Sequence, residues 1–308
     1  MPKAYVFTRY GGPDTEAFVD VDRPRPGPGQ ILIAVRAAGV NPVDWKLRTG
    51  FRRPGESGEP VFPLVFGSEA SGVVEEVGEG VTGFAAGDEV FGNTAAGGYA
   101  QYALLPAEVA AHKPAAVPFT DAATLPVAAA TAYDGLRQLD LPTGATVLVT
   151  GAGGGVGAAA LQIARSFGLR VLGVASEGKK DFVESLGAVH VPSGPGWSER
   201  VRAAAPDGAD GVYDLVGGEA LREAAGLAAD RAKLITAGAP GPDVEALGGA
   251  RVRRARTAAV LDAVAELVVR GALDPHVTQT FPLERAAEAL RTVEDGHARG
   301  KVVIEVAA

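Results

Sequence analysis

The rhythm of apolar and polar positions changes near residue 114. Before it, short runs rich in Val, Ile, Tyr and Phe (KAYVFTRYGG, QILIAVRAAGV, ASGVVEEVGEGV, DEVFGN, YAQYALLPA) are bounded by Gly, Pro and Asp. Such runs predict strands closed by turns, hence a mainly β unit. The proline-rich segment from Asp22 to Gln30 predicts a loop that feeds a strand. DAATLPVAAATAYDGLRQL then shows a helical apolar period, and Pro126 predicts a break between two helical pieces. From Ala145 strand-like and helix-like runs alternate: ATVLVT, VGAAALQIARSF, LRVLGVAS, KKDFVESLG, GVYDLV, GEALREAAGLAA, AKLITAG. Strands alternating with helices of about ten residues predict a parallel sheet covered on both faces. ARVRRART (250–257) predicts an edge strand and AAVLDAVAELVVRGAL a helix. VTQTFPL, ERAAEALRTVEDG and GKVVIEVAA close the chain as strand, helix and strand.

Length and charge narrow the class. A chain of 308 residues predicts two domains. A net charge of −8 argues against nucleic acid as a partner, because a phosphate backbone needs a basic surface. No apolar run reaches the roughly 18–20 residues that span a bilayer, and the N-terminal residues show no secretory pattern. A cytoplasmic location is the expectation. The chain has no cysteine, which excludes disulfides and thiolate zinc sites.

The candidate chemistry starts at GAGGGVG. Ala152-x-Gly154-x-x-Gly157 follows a strand, opens a helix and sits in a βαβ unit, the context in which this spacing binds a dinucleotide pyrophosphate. Backbone N–H groups of Gly153, Gly154, Gly155 and Val156 would form the cradle, since only residues without a Cβ let the backbone come close. Gly154 would permit that approach, and Gly157 would let the helix pack on the strand. The second strand, RVLGVAS, ends in Ala175 and Ser176 with no acidic residue for a ribose hydroxyl. Ser176 and Lys180 instead suit a 2′-phosphate, which predicts NADPH. On the other reading Lys179 and Lys180 are a solvated first turn, and an inward Glu177 would repel the phosphate.

At this point the sequence resembles the zinc-free quinone oxidoreductase (zeta-crystallin-like) branch of the medium-chain dehydrogenase/reductase superfamily. The resemblance rests on GVNPVDWKLRTG (39–50), GSEASGVVEEVG (67–78), GDEVFG (87–92), GGYAQYALLPA (97–107), LPVAAATAYDGL (125–136), AGGGVG (152–157), VYDLVGG (212–218) and FPLERAAEAL…GKVVIEV, in that order over almost the whole chain. It implies an α/β fold in which a Rossmann doubly wound parallel sheet (126–257) is inserted into a GroES-like β-rich catalytic domain (1–125 and 258–308). It also implies a cofactor in the cleft between the domains, and a homodimer or homotetramer joined through an edge strand, here 250–257. Zinc-dependent members hold metal with Cys, His and Cys. The matching segments here read GVNPVD, Gly67-Ser68-Glu69 and PVAAATAY, so no metal is expected.

The resemblance also places candidate site residues. Asn41 would lie near nicotinamide and substrate and donate to the acceptor oxygen, although Asn-Pro also starts turns. Asp44 falls on a family position, where it would act in the site or orient the loop. Relatives carry tyrosines in the stretch matching 45–52, which here reads WKLRTGFR, so Lys46 or Arg52 would supply charge and Trp45, Phe51 and Phe62 would wall a flat pocket. Thr131 would contact the cofactor, and Val216, Gly217, Ala237, Gly238 and Ala239 would run past the nicotinamide. The tyrosine that many relatives place near the 2′-phosphate has no counterpart in HVPSGPGW.

Without a Lewis acid, alcohol oxidation lacks a means to stabilise an alkoxide. Hydride transfer to a small electrophile, a quinone or an enal or enone, needs only positioning and a hydrogen-bond donor. Two other readings are an NADPH-binding sensor or structural protein with little turnover, as in some lens crystallins of this family, and a methyltransferase-like nucleotide fold. The flanking β-rich domain and the C-terminal return disfavour the last.

Overall fold

The computed structural model describes residues 1–52, 58–296 and 298–307. They form two compact units: 1–127 with 257–265 and 277–308, and 128–256 with 266–276.

The second unit is built on six strands, all paired in parallel. In spatial order they are Val189–Pro192, Arg170–Ala175, Thr146–Thr150, Gly211–Asp214, Leu234–Thr236 and Ala250–Arg251. In chain order this reads 3-2-1-4-5-6, the Rossmann arrangement, whose strand order reverses beside the first strand. The apolar runs cause it. Val147, Leu148 and Val149 are fully buried, as strands covered on both faces require. Helix Gly155–Ser166 packs with an almost unbroken face of alanines and aliphatics, Ala158 to Ala164, buried beside that strand.

The first unit carries a seven-stranded sheet and a three-stranded one. The long strand Gln30–Val40 lies at the centre of the larger sheet. On one side it pairs antiparallel with Glu69–Val77, on the other with the C-terminal strand Lys301–Glu305, where Val302 faces Val40. The smaller sheet joins Glu16–Asp20, Lys3–Phe7 and Leu64–Val65. Ile31, Ile33, Val35, Phe66, Leu105 and Ile304 lie in the core of this unit. The two ends of the sequence therefore share one hydrophobic core.

The observed elements refine the expectations at several points. ARVRRART pairs only at Ala250–Arg251, because Arg254 turns inward and the backbone follows it away from the sheet. Pro126 stands just past a break: helix Phe119–Ala122 ends before it, and the second piece starts as a wide helical turn, 125–129, that runs on into Ala130–Leu139. Helix Trp197–Ala204, buried through Trp197 and Val201, carried too weak a period to be read. Residues 266–276 fall in the nucleotide-fold unit, tied there by Gln162, which exchanges two hydrogen bonds with the Asp274 backbone. Among the described residues no helix is long and apolar enough to cross a membrane.

Candidate active site

The glycine loop separates two steric demands. A Cβ on Gly157 would strike the Gly151 carbonyl and come within 2.7 Å of Ala152 Cα, so the first helical turn packs directly on the loop. Around Gly154, the N-cap of the helix, the nearest atom to a Cβ is the Gly151 oxygen at 3.5 Å. The room before Gly154 is left open by the protein's own atoms, at a helix start whose first N–H groups have no partner within the helix. Gly153 is covered by the Lys179 side chain, whose Nζ lies 3.4 Å from the Gly153 carbonyl. Lys180 and Ser176 are exposed, so Lys179 is the cation that the turn after the second strand brings to the loop.

The neighbouring strand ends are organised by Asp214, which is fully buried. It accepts from Thr150 Oγ1 at 2.7 Å and Thr236 Oγ1 at 2.6 Å, the last residues of the strands on either side. It also accepts from the backbone N–H groups of Val216 and Gly217. Thr150 Oγ1 accepts from Leu215 N, and Thr236 Oγ1 from Gly238 N and Ala239 N. Ala237 N donates to the Asp214 carbonyl. Val216 is left 55% exposed at the rim, and Gly217 adopts φ +81°, which its lack of a side chain permits.

Thr131 is buried and already engaged. Its Oγ1 accepts from Arg254 Nη1 at 2.6 Å, and its carbonyl from the Tyr213 hydroxyl at 2.7 Å. Asp134, one helical turn on, holds Arg254 Nε and the Ala255 N–H, each at 3.0 Å. Burial holds the Tyr213 hydroxyl well above its usual titration range.

In the other unit the chain turns sharply after Val40. Asn41 caps helix Pro42–Arg48, and its N–H donates to Asp44 Oδ2 at 2.9 Å. Asp44 is fully buried and also accepts from Ser68 Oγ at 2.7 Å and Tyr99 OH at 2.9 Å. Burial pushes the Asp44 carboxyl above its ordinary range, against the pull of these donors, and the charge of Glu69 adds to the rise. Burial, together with the charge on Asp44, also drives Tyr99 far above the usual phenol range. The Asn41 amide does not face outward as a free donor. Its Nδ2 donates to Glu69 Oε1 at 2.7 Å and approaches the Gly39 carbonyl at 3.4 Å, while its Oδ1 accepts from Lys301 Nζ at 2.6 Å. Gly39 must lack a Cβ because the Glu69 carboxylate lies against it.

Comparison with known proteins decides the family. An alcohol dehydrogenase GroES-like domain matches residues 27–115, and a zinc-binding dehydrogenase family matches 186–304. The human quinone oxidoreductase is 32% identical over 96% of this chain and 95% of its own length. The chain belongs to the medium-chain dehydrogenase/reductase superfamily, in its quinone oxidoreductase-like branch. The quinone oxidoreductase from Coxiella burnetii superposes with a TM-score of 0.90 at 28% identity, covering 99% of both chains. A mycobacterial protein solved in complex with NADPH superposes with a TM-score of 0.87 at 30% identity, covering 99% of this chain and all of that one.

For a member of this superfamily the metal question is one of donor sets. Among the described residues no group of three or more His, Asp or Glu side chains gathers as a metal site. His112 bonds the Gly83 carbonyl and stacks on Phe84, and His190 lies beside the Ala175 carbonyl. His276 packs edge-on against Phe182, and His297 lies outside the described residues. Among the described residues no donor set fits a bound zinc.

A pocket of about 480 Å³ opens within the β-rich unit. Phe7, Tyr10, Phe51 and Phe66 contribute aromatic wall, Arg52 a cation, and Asp44 reaches its inner end. Of the expected aromatics, Phe51 lines it. Phe62 stands behind, edge-on to Phe7 and Tyr10, and Trp45 packs on the core with Lys46 over its ring. Tyr99, Asp214 and Lys301 were given no role from sequence, Glu69 was named only as part of a segment without a metal ligand, and Lys179 only beside the favoured Lys180. Lys179 was within reach, one position from the expected lysine; the others are fixed by strand neighbours tens to hundreds of residues away.

Proposed function

We propose that this chain is a zinc-independent, NADPH-dependent reductase that delivers hydride to a quinone or to the β-carbon of an α,β-unsaturated carbonyl. The observation that carries the reading is the open space before Gly154, at the start of a twelve-residue helix, with Lys179 lying beside it. Such a cradle suits a pyrophosphate, and the strand ending at Ala175 offers a lysine and a serine where a carboxylate would favour NADH. The NADPH bound in the mycobacterial relative supports the same choice.

On this reading the N–H groups of Gly153, Gly155 and Val156 hold the pyrophosphate, while that of Gly154 shapes the loop by donating to the Gly151 carbonyl at 3.1 Å. Ser176 and Lys179, with Lys180 on the outer side, take the 2′-phosphate. Val216, Gly217, Ala237, Gly238 and Ala239 border the nicotinamide, and the Thr131 side chain, set by Arg254, adjoins it. When bound, reduced nicotinamide supplies the hydride. The aromatic walls of the pocket favour a planar acceptor such as a quinone. Asp44 borders that pocket and Asn41 holds it there through its N–H, since the polar atoms of both are committed to protein partners.

The test is to mix the protein with NADPH, add 1,4-benzoquinone, an enal or an enone, and follow the near-ultraviolet absorbance of the reduced cofactor. Acceptor-dependent loss of absorbance is expected, fastest with the quinone. Tight NADPH binding without such loss would point instead to a sensor or structural role.

A further inference from the structure

Three adjacent strands of the larger sheet, Lys301–Glu305, Gln30–Val40 and Glu69–Val77, bring residues 301, 41 and 69 to one place. An ammonium has three N–H donors. Lys301 Nζ meets three oxygens: Asn41 Oδ1 at 2.6 Å, Glu69 Oε1 at 3.0 Å and the Val40 carbonyl at 3.2 Å. Asn41 Nδ2 closes the ring by donating to the same Glu69 oxygen, and Glu69 Oε2 accepts from Val127 N at 2.7 Å. All three side chains are buried, Glu69 completely.

An asparagine amide can turn end for end, exchanging its donor and acceptor faces. A cation at one end and a carboxylate at the other allow only one orientation. We propose that Lys301 is the positioning residue of this site: its fixed ammonium locks Asn41 in a single orientation and serves as the cation resident there. Locking the side chain also fixes the Asn41 backbone N–H on Asp44, and Asp44 borders the pocket. The arrangement keeps divalent metal out, because Asn41 Oδ1 and Glu69 Oε1 are both spent on the ammonium. The effect on turnover rests on the reductase reading; the locked amide does not.

The test uses the full chain and two variants. Lys301→Met keeps the length of the side chain without its charge. The Glu69→Gln/Lys301→Met double variant removes both charges together, so that no buried ion is stranded if the single variant fails to fold. Solvent exchange of the Asn41 side-chain NH2, assigned by its loss in Asn41→Ala, is read by NMR without cofactor, and kcat and KM are read with NADPH and a quinone. In the folded variant exchange is expected to quicken at least about tenfold, and kcat to fall about tenfold with little change in KM, as for a group that acts on the transition state. An unchanged value of either exchange or kcat overturns the proposal. If the unmodified protein reduces no acceptor, the reductase reading falls, and the exchange measurement alone decides the role of Lys301.

Discussion

The hydroxyl of Tyr99 donates to Asp44 Oδ2 across 2.9 Å, and both residues are closed to solvent. Asp44 is thus held by three donors yet has no cation beside it among its recorded partners, while Glu69 has Lys301. Its carboxyl titrates above the ordinary range in the folded chain, chiefly through burial. The folded state therefore binds the proton more tightly than the unfolded state. The contribution of Asp44 is most favourable below its unfolded pKa of about 3.9 and is lost as pH rises through the folded value. Urea unfolding of the unmodified protein and of Asp44→Asn between mildly acidic and neutral pH tests this. The stability difference, unmodified minus variant, is expected to fall as pH rises; a difference that grows would show the reverse shift.

The two glycines of the loop are expected to respond oppositely to alanine. Gly157→Ala places a methyl against the Gly151 carbonyl and Ala152, and should cost about 1–3 kcal/mol of stability as overpacking does. Gly154→Ala meets nothing nearer than 3.5 Å and should melt as the unmodified protein does, while NADPH binding weakens at least about tenfold. Thermal melts with and without NADPH separate the two effects.

Cofactor preference should track Lys179. NADPH is expected to bind at least about tenfold tighter than NADH, a gap of roughly 1.4 kcal/mol. Lys179→Ala should erase most of that gap and Lys180→Ala little of it, since only Lys179 lies over the loop. Fluorescence titration of each variant with both nucleotides gives the ratios. Equal ratios in all three proteins would place the determinant elsewhere.

Dialysis against a strong chelator should leave quinone reduction unchanged, because no metal-binding cluster gathers among the described residues and the oxygens nearest Asn41 already hold an ammonium. Activity that is lost on dialysis and restored by zinc would refute this.

The architecture was legible because its signals are local. The Gly154 and Gly157 spacing, the apolar strand before it and the helical period after it lie within about twenty residues, and the sheet follows from repeating that unit. The edge strand failed because four arginines in ARVRRART read alike in sequence. Thr131 and Asp134, over a hundred residues earlier, distinguish Arg254 by holding it inward. Asn41 was found, but the direction of its amide depends on Lys301, 260 positions away in a strand that nothing local connects to it. Tyr99 was hidden in the same way: it stands in a run read only as a strand and meets Asp44 through folding.

Asp214 and its two threonines have a consequence for motion. The loop that begins at Leu215 and the loop that ends at Ala239 both hang from this one carboxylate, directly or through a single hydroxyl. Lifting either loop disturbs the one buried carboxylate network from which the other hangs. The amides of Leu215, Val216, Gly217, Gly238 and Ala239 should therefore exchange with deuterium at one shared opening rate.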